Sequence, residues 1–215
     1  MRTGSDFTMA LKIYQIRSGG FDENFTYVIS DAESGESALV DPCGSACEIR
    51  KILEEACPGA IPRYILLTHG HTDHFDALDE VREFFPAPVG AYRLFRKREK
   101  DLILEDGMKL PLGKHFLQVI HTPGHTPDSI CFLTDDGKAL FTGDTLFIGC
   151  CGYCDGKTLF RTFREKILPL PEEAVIYSGH DYGVVPSDTL RNQKKVNPYL
   201  AAESLETFME ILKDL

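Results

Sequence analysis

The sequence lacks, near its start, any apolar run long enough for a secretory signal or a membrane span. Residues 1–8 are mostly small or polar, and we predict a disordered lead-in there. The sequence also lacks an even, regularly spaced set of cysteines, since it has seven at irregular spacings. This pattern favours reduced thiols over a disulfide framework. These absences together predict a cytoplasmic protein with no membrane partner.

Positive charge is scarce as well. The chain of 215 residues has 23 Lys and Arg against 33 Asp and Glu, a formal net charge of −10. An acidic surface repels phosphate backbones, so we predict no nucleic-acid partner. One basic run, residues 93–100 (RLFRKREK), departs from this balance. We interpret it as a solvated helix face, and the alternative is a patch that attracts an anionic substrate.

The pattern of apolar residues predicts one domain over residues 1–215. Runs rich in β-branched and aromatic residues predict strands over 11–17, 25–30, 38–40, 63–68, 114–120, 129–133, 139–142 and 174–178. Helical spacing predicts helices over 45–56 and 77–85 and a C-terminal helical segment over 187–215. Strands that alternate with helices at both ends indicate a mixed α/β layered domain.

Imidazole and carboxylate side chains follow four of the predicted strands. The four segments are THGHTDH (68–74), HTPGHTPDS (121–129), FTGDTLF (141–147) and YSGHDYG (177–183). Each places small, turn-forming residues after an apolar run, so the polar groups should cluster on loops at one edge of a sheet. The candidate metal ligands are His69, His71, Asp73, His74, His125, Asp144 and His180.

Neutral imidazole and carboxylate groups are ligands for zinc, iron and manganese. A single turn cannot close around one ion with every group of the segment 69–74, but it can direct alternate side chains to two neighbouring ions. We therefore predict two divalent metal ions, zinc or iron, with manganese as a further option. Asp144 could bridge the ions, and His125 and His180 would complete one site each.

The motifs HxHxDH, PGHTP, TGD and GH, in this order, resemble the metallo-β-lactamase superfamily and in particular its glyoxalase II-like branch. The resemblance covers residues 12–197. It implies an αββα four-layer sandwich of two mixed sheets flanked by helices, with the metals at one edge. It also implies one ion on His69, His71 and His125, a second on Asp73, His74 and His180, and Asp144 on both.

Two ions about 3.5–4 Å apart can share a water and lower its pKa toward neutrality. We therefore predict a metal-dependent hydrolase that cleaves a small thioester or related ester, with Asp73 and Asp144 as the catalytic carboxylates. The alternative is an iron-dependent persulfide dioxygenase of the same fold, with a single iron on His69, His125 and Asp144. A lactonase is the third candidate.

Candidate substrate contacts lie after the third and fourth motifs. The family usually has an Arg where this chain has Tyr153, so a fixed donor for a carboxylate is missing. This departure argues against a glutathione-type substrate, and it favours hydrolysis because it weakens the match to the dioxygenase loop. Tyr153, Arg191 and Lys194 are the candidate substrate-binding residues.

Two further groups of residues lie close to the candidate ligands in the sequence. Cys150, Cys151 and Cys154 crowd the loop after Asp144, and we interpret them as small buried thiols, with a redox or extra metal role as the alternative. His121 lies beside a predicted strand and could support the centre through a hydrogen bond, because it precedes His125 by only four residues.

Overall fold

The computed structural model describes residues 11–19 and 22–214, so the predicted lead-in over residues 1–8 lies outside the described residues. Within them, one six-stranded sheet contains β1 (Lys12–Arg17), β2 (Phe25–Ser30), β3 (Glu36–Val40), β4 (Ile61–Leu66), β5 (Val89–Tyr92) and β6 (Leu102–Leu104), in that order. The strands β1 to β3 pair antiparallel, whereas β3 to β6 pair parallel. This first sheet is therefore mixed.

The second six-stranded sheet is mixed in the same way. It contains β7 (Lys109–Leu112), β8 (His115–His121), β9 (Ile130–Thr134), β10 (Ala139–Gly143), β11 (Val175–Ser178) and β12 (Asp188–Thr189). Only the β10–β11 pair is parallel. The helices are α1 (Ala46–Ala56), α2 (Leu78–Phe84), α3 (Gly156–Thr162), α4 (Leu190–Val196), α5 (Pro198–Ala201) and α6 (Leu205–Ile211).

Alternation along the strands explains how the layers stack. On β10, Phe141 packs between the two sheets, while Leu140 packs against the layer of helices that includes α3 and α6. On β2, Tyr27 points between the sheets and Val28 toward α1 and α2. Because successive strand residues face opposite sides, each sheet buries both faces. The predicted αββα sandwich is confirmed.

Local sequence signals account for several element boundaries. Ser45 caps α1, since its side chain accepts a hydrogen bond from the backbone N–H of Glu48. The C-terminal segment is not one helix, because Asn197 caps a new helix with Pro198 at its first position. The basic run 93–100 is a loop between β5 and β6, so its interpretation as a helix face is wrong.

Four short strands, β5 to β7 and β12, were not among the strands expected from the sequence. Each has two to four residues, which is too short for a clear alternating pattern. In the part of the chain that the structure describes, no helix combines the length and the hydropathy that crossing a bilayer requires. The cytoplasmic location stays a prediction.

The contact between the sheets can be tested at Phe141. Its fully buried ring lies 5.2 Å from the ring of Tyr27 and 5.3 Å from that of Tyr177, measured between centroids. We expect Phe141→Ala to lower the free energy of unfolding by about 3–5 kcal/mol in urea titrations, because it leaves a cavity. Ile103→Ala, at a side chain that is 59% exposed, should stay within about 0.5 kcal/mol of the parent. Equal losses in the two variants would argue against this packing.

Candidate metal centre

The seven predicted ligands come from the ends of strands in both sheets. His69 and His71 follow β4 of the first sheet, and a 3₁₀ turn, Thr72–His74, places Asp73 and His74 immediately after them. The other three follow β8, β10 and β11 of the second sheet; they are His125, Asp144 and His180. The structure brings all seven side chains into two adjacent clusters at one edge of the sandwich.

The first cluster contains His69, His71, His125 and Asp144, and its ligand atoms lie within 4.8 Å of one another. The Nε2 atom of His125 is 2.9 Å from Nδ1 of His71. From Asp144 Oδ2, the distance is 3.8 Å to His69 Nε2 and 3.5 Å to His125 Nε2. Three imidazole nitrogens and one carboxylate thus converge on a common point.

The second cluster contains Asp73, His74 and His180. The Nε2 atoms of its two imidazoles are 3.2 Å apart, and they lie 3.5 Å and 3.6 Å from Asp73 Oδ2. Asp144 reaches this cluster too, with Oδ1 3.2 Å from His74 and Oδ2 3.3 Å from His180. Its carboxylate therefore lies between the clusters, where a bridging ligand would have to be.

Hydrogen bonds outside the clusters orient four of the five imidazoles. In each, the Nδ1–H donates to an oxygen, which leaves the Nε2 lone pair facing the cluster. The donor–acceptor pairs are His69 with Thr68 Oγ1 at 3.1 Å, His74 with Asp41 Oδ2 at 3.0 Å, His125 with the Tyr153 carbonyl at 2.7 Å and His180 with the Asp22 carbonyl at 2.6 Å. Such partners are typical of metal-binding histidines.

Two buried atoms point to a cation as the missing partner. Among the described residues, His69 Nε2 and Asp144 Oδ1 are the buried side-chain polar atoms without a hydrogen bond. An unsatisfied buried polar group costs about 1–3 kcal/mol, and more when it is charged. Both atoms face the clusters, and both can donate an electron pair. Asp144 Oδ1 does so as a carboxylate oxygen, and His69 Nε2 does so because the ring proton is on Nδ1. The residues present therefore fit bound metal ions, and the seven groups form a candidate two-metal site.

The protonation states of Asp144 and His69 also suit metal binding. Burial by itself would raise the pKa of Asp144, but the imidazoles of His74 and His69 outweigh it and hold that pKa well below its usual value. Burial, reinforced by His74, holds the pKa of His69 well below that of an ordinary histidine. The carboxylate is thus ionised and His69 is neutral, as ligands must be.

Sequence reasoning missed Asp41, which is buried directly after β3. Its carboxylate accepts hydrogen bonds from the Thr68 backbone N–H at 2.8 Å, from the Thr68 hydroxyl at 2.6 Å and from His74. Its φ of +49° is uncommon for a residue with a side chain and is typical of functional sites. The available signal was an Asp after a predicted strand, at the same edge as the ligands.

Asn24 was also missed. Its side-chain amide donates to Asp73 Oδ2 at 2.9 Å, and its backbone forms an isolated bridge with His180. These two contacts tie the segment before β2 to the second cluster. No pattern in the sequence separates Asn24 from other loop asparagines, because its partner is 49 residues away.

The three predicted substrate contacts are placed differently. Tyr153 lies at the rim, with 83% of its surface exposed and its carbonyl bonded to His125. Arg191 and Lys194 pair with Glu172, near the start of β11, whereas His180 follows the end of that strand. The structure does not bring these two cations to the metal clusters, so we do not include them in the proposed site.

The cysteine loop packs beside the centre. Cys151 is buried and Cys150 and Cys154 are half-buried against the hydrophobic cluster around α3, which agrees with buried thiols. The pKa of Cys154 is lowered by a hydrogen bond from Cys151. A redox or metal role for these thiols stays an open prediction.

His121 does not reach the centre in the way expected. Its ring stacks on Tyr92, with centroids 4.1 Å apart, and its Nε2–H donates to the carbonyl of Pro127 at 3.0 Å. His121 therefore supports the loop that precedes β9 instead of holding His125 by a hydrogen bond.

The bridging position of Asp144 can be tested by metal content. Asp144→Ala should lower the number of ions bound per chain and abolish turnover, since it removes the one carboxylate shared by the clusters. Metal is measured by mass spectrometry on protein dialysed against each candidate ion. Cys154→Ala is the control, and its metal content should match the parent. Unchanged metal content in the Asp144 variant would contradict the site as described.

The role of Asp41 gives a second test. Asp41→Asn should weaken metal binding by about 10–100-fold, because a neutral amide is a poorer partner for the His74 ring. Affinity is measured by competition with a chromophoric chelator. Asp135→Asn removes a comparable Asp–His contact, 3.0 Å from His115, at the far end of β9. If both variants bind metal equally well, Asp41 has no special role.

Comparison with known proteins separates family from activity. The human protein named persulfide dioxygenase ETHE1, mitochondrial, is 34% identical over 197 residues, which cover 89% of this chain and 76% of that protein. The crystal structure of ETHE1 from Myxococcus xanthus superposes with a TM-score of 0.82 at 27% identity and covers 96% of this chain and 91% of that one.

A hydroxyacylglutathione hydrolase from Klebsiella pneumoniae is 29% identical over 230 residues, which cover 90% of this chain and 89% of that protein. The glyoxalase II-like branch is therefore not confirmed, because the persulfide dioxygenases match more strongly. The sequence profile of the Metallo-beta-lactamase superfamily matches residues 19–180. Since that span is most of the chain and includes all seven candidate ligands, the protein belongs to the metallo-β-lactamase superfamily.

Proposed function

We propose that this enzyme is an iron-dependent persulfide dioxygenase whose iron is held by His69, His125 and Asp144. The observation that carries the proposal is the greater similarity of the chain to persulfide dioxygenases than to the hydroxyacylglutathione hydrolase. It reverses the order in which the sequence ranked the two activities. The thioester hydrolase becomes the second candidate.

The geometry of the first cluster supports the proposal. His69 Nε2, His125 Nε2 and Asp144 Oδ2 converge within 4.8 Å, as the two imidazoles and one carboxylate of a non-haem ferrous site do. Bound there, iron would supply the dioxygen chemistry that no side chain of the protein can perform. The hydrogen bonds that the His69 and His125 rings donate to Thr68 Oγ1 and to the Tyr153 carbonyl fix the two rings in advance.

The second cluster has a structural role in this proposal. Burial tends to lower the pKa of His74, but Asp144 and Asp41 on either side raise it well above the usual value. A protonated His74 would donate to both carboxylates and so hold Asp144 in place for the first cluster. His74 and His180 are buried, and the ring of Tyr182 stacks on His180 at 4.8 Å.

The imidazoles of the two clusters differ in their exposure. The aromatic ring of Phe147 covers His180 together with Tyr182, with its centroid 5.6 Å from that of His180. His71 is exposed and His125 is partly exposed on the other side. A persulfide would therefore approach the first cluster, where the proposed iron ligands lie, with its outer sulfur leading.

Hydrolysis of a thioester or ester is the second candidate, favoured by one specific observation. Asp73, His74 and His180 converge as a complete second ligand set, and Asn24 orients Asp73. Two ions bound in these clusters would supply a hydroxide near neutral pH. Asp73 and Asp144 would be the carboxylates nearest to that hydroxide.

The two candidates differ in their need for oxygen. Protein purified without added metal would be loaded with ferrous, zinc or manganese ions and assayed with a persulfide, by oxygen electrode, and with a thioester, by released thiol. We expect oxygen uptake only with iron, and no thioester cleavage with any metal. Thioester cleavage without oxygen uptake would instead establish the hydrolase.

A pair of variants separates the candidates further. His69→Ala should abolish oxygen uptake because it removes a proposed iron ligand. Asp73→Asn should retain most of the oxygen uptake, since Asp73 belongs to the other cluster. If Asp73→Asn loses activity as completely as His69→Ala while iron content is unchanged, the single-iron assignment is wrong.

A further inference from the structure

A groove opens beside the first metal cluster, on its exposed side. The loop 93–100 forms one wall, with Leu94, Arg96 and Lys97, and the segment after His125 forms the other. The cavity between them has a volume of about 270 Å³ and includes His71 in its lining. A molecule bound in the groove would therefore contact His71 of the first cluster, next to the proposed iron ligands.

Two cations in this groove have no acidic partner in the part of the chain that the structure describes. Among the described residues, neither Arg96 nor Lys97 forms an ion pair, whereas the neighbouring Arg98 is paired with Asp79 at 2.6 Å. Among the described residues, the guanidinium of Arg96 donates to the carbonyls of Arg93 and Phe95. Both side chains are exposed on a protein whose formal net charge is −10.

One carboxylate, that of Asp128, also lines the groove. It lies close to Gly70, where an added Cβ would be 2.9 Å from Asp128 Oδ2 and 3.3 Å from Lys97 Cγ. The absence of a side chain at Gly70 therefore leaves room for both residues next to the ligands. With two cations against one anion, the groove remains positive.

The cleft on the opposite side of the centre has different chemistry. It has a volume of about 670 Å³ and is lined by Ile148, Tyr182, Val184 and Val185, with Asp188 and no lysine or arginine. An anionic group there would meet the carboxylate of Asp188 and no cationic side chain of the lining. If the substrate carries negative charge, the basic groove beside His71 is where that charge is stabilised.

We propose that Arg96 and Lys97 form an anion-binding subsite for the thiol carrier of the substrate. On the basis of the proposed function, the persulfide sulfur lies at the first cluster and a carboxylate or phosphate of the carrier lies between the two cations. Leu94, which is 41% exposed, contacts the apolar stem that joins them. The subsite supplies a donor for the carrier that Tyr153 does not provide.

The test compares two double variants that remove the same charge. Arg96→Gln with Lys97→Gln removes the subsite, and Arg93→Gln with Arg98→Gln removes two cations of the same loop outside it. The iron-loaded full chain is assayed with three persulfides: of glutathione, which carries carboxylates, of coenzyme A, which carries phosphates, and of neutral N-acetylcysteamine.

For the subsite variant, we expect KM for an anionic persulfide to rise about three- to tenfold with kcat unchanged, and the effect to shrink in salt. The neutral persulfide and the control variant should show no such rise. A larger rise for glutathione persulfide identifies a carboxylate as the bound group, and a larger rise for coenzyme A persulfide identifies a phosphate. An equal rise in both double variants means that only long-range charge acts, and it overturns the subsite.

Binding provides a readout that does not need turnover. Calorimetry with the unreactive S-methyl thioethers of the same three thiols should show weaker binding of the anionic ones to the subsite variant alone. If the subsite variant binds the anionic thioethers more weakly but no persulfide is oxidised, the subsite stands and the proposed activity fails. If the parent protein binds the anionic thioethers no more tightly than the neutral one, the subsite is rejected whatever the activity.

Discussion

The buried carboxylate of Asp144 is the group on which the rest of the centre depends. Its oxygens lie 3.2–3.8 Å from imidazoles of His69, His74, His125 and His180, which come from both sheets. A buried charge is tolerated only with partners, so these loops must meet around it. Gly143 makes the approach possible: its φ is +48°, and a Cβ there would lie 2.4 Å from Thr68 Oγ1.

A second ring of hydrogen bonds converts this cluster of side chains into an ordered ligand set. The acceptors include the buried carboxylate of Asp41, a residue with a positive φ, and the backbone carbonyls of Asp22 and Tyr153. Each fixes one histidine tautomer before any metal binds. Little reorganisation is then needed on metal binding, which is how rigid scaffolds raise affinity.

The centre is asymmetric, and this asymmetry links geometry to activity. The two imidazoles of the second cluster are buried, with Phe147 and Tyr182 packed around His180, while the first cluster opens through the exposed His71 toward the basic loop. One exposed cluster is sufficient for an iron dioxygenase, whereas a two-metal hydrolase uses both. The same seven residues can therefore serve two reactions, and the metal bound and the access to it decide between them.

The seven candidate ligands and the layered fold could be predicted from the sequence, because short motifs after apolar strands and the alternation of residues within the strands are local properties. Which distant groups meet depends on the tertiary structure. Asn24 reaches Asp73 across 49 residues, and His74 reaches His180 across 106. The tertiary structure also places the basic loop beside His71. It pairs Arg191 and Lys194 with Glu172, near the start of β11 and away from the metal clusters. Strand pairing and sheet packing set these positions, and neither is encoded in the residues next to the side chain concerned.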